Sequence, residues 1–434
     1  MEAEESVISV IKRLLSSPLI DVALLLRWTL LAVPVGLVGG SASALFLWAL
    51  DWTTHAHAAH PELLWGLPAG GVLVGWLYHR FGKGSERGNN LLMDEIHQPG
   101  GGVPARMAPL VLLGTLVTHL FGGSAGREGT AVQMGGSLAG LLARWFRVRP
   151  ENQRLMLMSG IAAGFGAVFG TPLTGAIFAM EVLVIGRLNY EALIPVLVAS
   201  LVGDATCTAW GIHHTLYHLE VSPEAGLRAP LEWVLLAKVG LAAIAFGLMA
   251  RFFAAFTHAL QRGMARLVSY PPLRPAVGGL VVIALVYLLG TRDYLGLGVE
   301  ANHVGGVSIV SSFEPGGVTP WSWLWKTLFT SVTLGSGFKG GEVTPLFFIG
   351  STLGHQLGLL LQEPVALFAA LGFIAVFAGA ANTPLACTIM GIELFGAHYS
   401  VYFGVACFVA YFFSGHSGIY SAQKIGVPKR PPED

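Results

Sequence analysis

Charge is what this chain has least of. Only 12% of its 434 residues are Asp, Glu, Lys or Arg, against roughly 25% in ordinary soluble proteins. That scarcity excludes a soluble domain. The few charges also cancel, 25 basic against 25 acidic residues, so no basic field points to nucleic acid. Cysteine is scarce as well. Cys207, Cys387 and Cys407 all lie in apolar segments, and an odd set without an extracellular framework argues for buried free thiols rather than disulfides. None has metal-site spacing, and neither a metal nor a cofactor is expected. The start, Met1 to Glu5, is acidic, unlike the basic opening of a secretory signal.

Apolar residues fill the place of the missing charge. They make up 53% of the chain, and mean hydropathy is +0.64. Apolar runs recur at Leu24–Leu50, Leu64–Tyr78, Met107–Phe121, Met156–Val184, Leu193–Trp210, Leu231–Phe256, Val277–Leu289, Leu324–Leu334, Leu346–Leu361, Val365–Phe395 and Val401–Phe413. A span takes about 20 residues, so some runs read as full spans and others as paired spans or half-helices. The fold class is an all-α polytopic membrane protein. Val7–Leu15, with Lys12 and Arg13, reads either as an amphipathic helix on the membrane surface or as an ordinary first helix. The tail Pro428–Asp434 is too short for a domain. Lys12, Arg13, Lys424, Lys429 and Arg430 put both ends on the cytoplasmic side by the positive-inside rule.

Glycine numbers 57, about twice the usual share of ~7%, which lets membrane helices approach closely and break. Gly136 and Gly140 form a GxxxG read as helix packing. Shifted by 212 residues, the chain matches itself. Phe165 falls on Phe377, Pro172 on Pro384, Leu173 on Leu385, Ile177 on Ile389 and Glu181 on Glu393, and the same shift sets Ser124 on Ser336, Arg127 on Lys339 and Gly129 on Gly341. Pro172 and Pro384 therefore mark repeat-related helix starts. The organisation read from this is an N-terminal amphipathic segment (1–19), a first membrane repeat (20–215), an inter-repeat loop (216–229), a second repeat (230–425) and a short tail (426–434). Transporters built this way hold their ion site at the repeat interface, on discontinuous helices.

Two Gly-rich turns carry carboxylates into apolar helices: Gly126-Arg127-Glu128-Gly129-Thr130 and Gly340-Gly341-Glu342-Val343-Thr344-Pro345. The first N–H groups of a helix lack intrahelical acceptors, and their positive end suits an anion. Glu128 can satisfy those donors when ionised and swing away when protonated, acting as gate and proton carrier, or it can simply cap its helix. Glu342 divides evenly between function and capping. Glu181 and Glu393 read as structural, and nothing converges on Asp204. Asn89, at a helix start, can cap or offer its amide to an anion. Tyr420 can donate its phenol or sit at the interface. His213, His214 and His218 read as loop residues, and His97 and His416 as structural groups.

Together these segments resemble the CLC family of anion channels and anion/proton antiporters over nearly the whole chain. Gly126–Thr130 is similar to the family's GREGP motif, whose glutamate is the outer gate. Gly341–Pro345 is similar to its GxFxP motif, and Ser417-Gly418-Ile419-Tyr420 stands where a tyrosine donates to the central anion. The resemblance implies a homodimer of inverted-repeat subunits with broken, tilted helices meeting at a central anion site, one pore per subunit, in the plasma or inner membrane. Four departures point within the family to its fluoride branch. Thr130 replaces the Pro. Gly88-Asn89-Asn90-Leu91-Leu92 replaces a GSGIP segment, with Met93 as a competing register. Glu342 is gained before Val343. Val182 replaces the inner proton glutamate. The branch implies export of cytoplasmic fluoride against inward protons, conferring fluoride resistance, with chloride/proton exchange or a chloride channel as the alternative. The implied anion-binding set is Asn89, Gly126, Arg127, Gly129, Val343, Thr344 and Tyr420. Glu128 is then the gating and proton-transfer residue, and Glu342 the second acidic residue. Fluoride is small and strongly hydrated, so its site must offer several good donors. An intramembrane serine protease would need a His beside Ser124, and the sequence places none.

Overall fold

The computed structural model describes residues 2–215, 217, 219 and 231–430, with the backbone course alone for 2–21 and 24. The inter-repeat loop, except Tyr217 and Leu219, falls outside the described residues, as do His218 and the last residues of the tail.

The apolar runs become helices. In the first half these are α1 (Glu2–Ala59), α2 (Leu67–Phe81), α3 (Asn89–His97), α4 (Met107–Leu120), α5 (Glu128–Trp145), α6 (Pro150–Phe169), α7 (Pro172–Glu181) and α8 (Leu193–Ala209). In the second they are α9 (Trp233–Leu267), α10 (Arg274–Leu289), α11 (Ser322–Gly335), α12 (Val343–Leu361), α13 (Val365–Ala381), α14 (Pro384–Phe395) and α15 (Ser400–Phe413). Five stretches among the described residues are long and apolar enough to cross a membrane: Leu25–Ala59, Tyr190–Ala209, Trp233–Leu267, Pro271–Leu289 and Val343–Leu361. Residues 2–19 run into the first span without a break, as part of α1.

Two runs that look continuous in sequence are each cut in two. Met156–Val184 breaks after α6, where Gly170 takes a left-handed φ of +71°, and Pro172 opens α7. Val365–Phe395 breaks at Asn382, φ +58°, and Pro384 opens α14. A left-handed residue ends a helix, and Pro at its first position begins the next without losing a hydrogen bond. Both prolines therefore sit where the repeat reading puts them.

The two halves pack alike. α5 lies on α6 and α12 on α13, α6 on α8 and α13 on α15, and α1 on α8 as α9 lies on α15. The crossings are as close as backbones allow. A Cβ on Gly135 would strike the Gly160 carbonyl oxygen, and one on Gly350 the Gly372 carbonyl. The GxxxG glycines Gly136 and Gly140 also serve packing, against Leu92 and against Leu157 and Val103.

Between the halves, contacts are reciprocal. Glu181, ending α7, accepts the Leu385 and Ala386 N–H groups at 3.0 and 2.8 Å. Glu393, on α14, accepts the Leu173 and Thr174 N–H groups at 2.9 and 2.8 Å and the Thr174 hydroxyl at 2.6 Å. Each half thus caps the other's broken helix, as a two-fold relation requires. Phe165 stacks on its repeat mate Phe377 across this join.

The repeat offset at the Gly-rich turns differs from the sequence reading. Gly126 and Gly341 pair with each other in an antiparallel bridge, and α5 begins at Glu128 where α12 begins at Val343. The equivalence there is 215, not 212. Gly126 to Phe165 spans 39 residues and Gly341 to Phe377 only 36, so the second half is three residues shorter between break and join. Arg127 therefore matches Glu342 rather than Lys339, and Glu128 matches Val343.

Candidate anion site

The site forms where the two Gly-rich turns cross. Gly126 N–H donates to the Gly341 carbonyl at 2.6 Å and Gly341 N–H to the Gly126 carbonyl at 2.8 Å. Neither turn tolerates a side chain: a Cβ on Gly341 would lie 2.8 Å from Gly129 N and 3.3 Å from Glu128 N, and one on Gly126 would lie 2.9 Å from Pro345 Cδ. The crossing sets the starts of α5 and α12 face to face, each with N–H groups that its own helix leaves unpaired. The Gly126 N–H, expected among the anion's donors, is engaged in this crossing.

Glu128 reaches from the first residue of α5 to the start of α12. Thr344 hydroxyl donates to Oε1 at 2.6 Å and Thr344 N–H to Oε2 at 3.0 Å. Arg127 N–H donates to Oε2 at 3.2 Å, and the Arg127 guanidinium Nε stands 3.5 Å from Oε1. The side chain is 1% exposed. A buried carboxylate needs compensation of this kind, and here every partner is a donor. The carboxylate therefore fills the place an anion would take at the α12 start. Occupancy by Glu128 and by an anion at Thr344 exclude one another.

Toward one side of the crossing opens a vestibule of about 370 Å³, lined by Asn89, Gln133, Lys339, Glu342 and Tyr420 among others. Asn89 opens α3, its Oδ1 is buried without a hydrogen-bond partner, and its Nδ2 would stand 3.3 Å from a Cβ on Gly129. Gly129 thus makes room for the Asn89 amide beside α5. The competing Met93 is packed in the apolar core, and Asn90 is occupied in accepting the Ala422 N–H at 2.9 Å. Tyr420 is 6% exposed, with its ring edge on Phe178. Val343 is buried at the head of α12 and offers only backbone. Glu342 is half-buried, faces the vestibule and forms no ion pair among the described residues. Asn89, Glu342 and Tyr420 thus share one chamber, and Gly340 in its wall adjoins the crossing where Glu128 meets Thr344.

Sequence reasoning missed three contributors. Thr130, read only as a lost Pro, ties its hydroxyl to Thr115 of α4 at 2.7 Å. Lys339 and Gln133 line the vestibule, and nothing in their local pattern marks them. Ser124 Oγ pairs with Thr330 Oγ1 at 2.9 Å, and among the described residues no His bonds it as a protease base would. His416 accepts the Lys429 N–H at 2.9 Å, and the three cysteines are buried and free.

The voltage gated chloride channel family model matches residues 70–415. A chloride/fluoride channel protein of Pseudomonas syringae pv. tomato is 50% identical over 410 residues, 93% of this chain and 87% of its own length. The crystal structure of a CLC-type fluoride/proton antiporter superposes with a TM-score of 0.86 at 35% identity, over 93% of this chain and 98% of that one. A slow cyanobacterial Cl⁻/H⁺ antiporter matches at 0.74 and 22% identity, over 91% and 96%, which speaks for the fold alone. With its inverted, interlocked repeats and the carboxylate at their crossing, the chain is a multi-pass membrane protein that belongs to the voltage-gated chloride channel (CLC) family.

Proposed function

We propose that this protein is a fluoride/proton antiporter that moves fluoride out of the cytoplasm against protons moving in, and so protects the cell from fluoride. The observation that carries the reading is Glu128 seated on the Thr344 hydroxyl and N–H. An ionised carboxylate accepts from both, whereas a protonated one brings a hydrogen against a donor and lets go. An anion then takes the vacated donors. The proton leaves as the anion arrives, which is exchange.

Fluoride fits the donor chemistry. Thr344 N–H and O–H, the Asn89 amide and the Tyr420 phenol offer hydrogen bonds to an ion that gives up a large hydration energy. The similarity to a fluoride/proton antiporter at 35% identity and to a chloride/fluoride channel protein at 50% supports the same choice. In this reading Glu342, which lines the vestibule, takes the part of the inner proton carboxylate that Val182 cannot play. A homodimer with one pore per subunit, both ends cytoplasmic, in the plasma or inner membrane, completes the reading.

The test is fluoride efflux from proteoliposomes holding the purified protein, with proton uptake recorded alongside and chloride as the comparison. Fluoride flux coupled to protons, with little chloride flux, is expected. Equal chloride flux returns the protein to chloride exchange, and anion flux without proton uptake makes it a channel.

A further inference from the structure

The tyrosine facing the vestibule stands on no helix. Tyr420 follows the end of α15 by several residues; its ring packs on Phe178, and the residues on either side of it fix its backbone. Ile419 N–H donates to the Ala380 carbonyl at 2.9 Å, and Ala422 N–H to Asn90 Oδ1 at 2.9 Å. Past it, the tail adds a short parallel ladder, Lys424–Ile425 against Val184–Ile185. Between the tyrosine and that ladder lies Gln423. Its Nε2 donates to the Val182 carbonyl at 2.8 Å and to the Ala381 carbonyl at 2.7 Å, and its Oε1 accepts from Asn382 Nδ2 at 2.9 Å. All the bonding capacity of one amide nitrogen is used on two helix ends, α7 of the first repeat and α13 of the second.

A further lock lies outside it. Lys429 Nζ donates to Asn382 Oδ1 at 2.5 Å, to the Tyr411 carbonyl at 2.7 Å and to Ser414 Oγ at 2.9 Å. Its ammonium also lies 3.9 Å from the Tyr411 ring centroid. A cation satisfying the last carbonyls of α15 is favourable at that end of a helix, and here it also fixes the Asn382 amide that holds Gln423.

We propose that Gln423 is a positioning residue for Tyr420: it fastens the tail to the ends of both repeats and so sets where the phenol meets the anion, with Asn382 and Lys429 fixing Gln423 in turn. The inference rests on the reading that Tyr420 donates to a transported anion. A side chain bridging carbonyls of both halves places the phenol relative to the whole crossing rather than to one helix. Small errors of placement matter for a hydrogen bond to a small ion, since the bond weakens steeply with distance and angle.

A double-mutant cycle in proteoliposomes tests this, on the half-saturating concentration of fluoride and, in parallel, of chloride. Wild-type flux is measured first. If chloride rather than fluoride is carried, the fluoride reading falls and the cycle is read on chloride; if no anion moves, both fall together. Gln423→Ala and Tyr420→Phe should each raise half-saturation, Tyr420→Phe by about tenfold, as loss of one hydrogen bond to an anion does. Gln423→Ala should add nothing in the Tyr420→Phe background. Additive effects, or a folded Gln423→Ala protein with wild-type half-saturation, would overturn the proposal. Should Gln423→Ala fail to fold, Lys429→Gln removes only the outer lock, and the same cycle against Tyr420→Phe decides.

Discussion

At the scale of single residues, one carboxylate and one threonine carry the argument. Glu128 is bonded only by donors, so its neutral form is the one that leaves. Glu128→Gln keeps the shape and removes the proton. The expected outcome in vesicles is loss of proton uptake, with at most passive fluoride flow that no longer varies with pH. Coupled exchange surviving in that variant would remove Glu128 from the centre of the mechanism. Thr344→Val deletes the 2.6 Å hydroxyl bond while leaving the N–H, which shows whether the same hydroxyl serves the ion. A rise of about tenfold in half-saturating fluoride is expected, the size of one hydrogen bond to an anion; unchanged half-saturation would assign the hydroxyl to Glu128 alone. The sequence shows the residue types here but not their directions. Asn89 and Asn90 both line the vestibule, but Asn90 holds Ala422 and Met93 joins the core; those partners come from distant parts of the chain, which a nine-residue helix does not announce.

At the scale of elements, the broken helices hold each other in place. Glu181 satisfies two N–H groups at the start of α14, and Glu393 satisfies two N–H groups and a hydroxyl at the start of α7. Removing a cap costs about 1–2 kcal/mol, and Glu393→Ala should cost more than Glu181→Ala because it strands one more donor. Thermal unfolding in detergent reads both, as a lowered midpoint. If Glu181→Ala left the midpoint unchanged but abolished proton uptake, Glu181 would be a proton carrier and not a cap. The breaks themselves were readable from Thr171-Pro172 and Thr383-Pro384, because Pro fits only the first turn of a helix. The partner of each capping carboxylate was not, since it comes from more than 200 residues away in sequence. The repeat offset misled for a related reason. In a chain with 57 glycines, a match such as Gly129 with Gly341 arises by composition. The bridge between Gly126 and Gly341 sets the equivalence that the fold uses.

At the scale of the whole molecule, the halves are joined by contacts that do not depend on the connecting loop. The Gly126–Gly341 bridge, the exchanged caps of α7 and α14, the stack of Phe165 on Phe377 and the Gln423 fastening all run from one half to the other. The bond between Glu128 and Thr344, on which the proposed exchange rests, has no existence in either half alone, because Glu128 belongs to the first and Thr344 to the second. Cutting the chain within the inter-repeat loop, 216–229, should therefore leave function recoverable. Residues 1–219 and 226–434, produced together, should assemble in the membrane and restore proton-coupled fluoride flux, whereas either piece alone should show none and should accumulate poorly, with its capping donors and apolar join exposed. Adding Glu128→Gln to the first piece should abolish coupling in the reassembled protein as it does in the intact chain. Flux from a single piece would mean that a pore forms within one repeat, and the crossing would no longer explain transport.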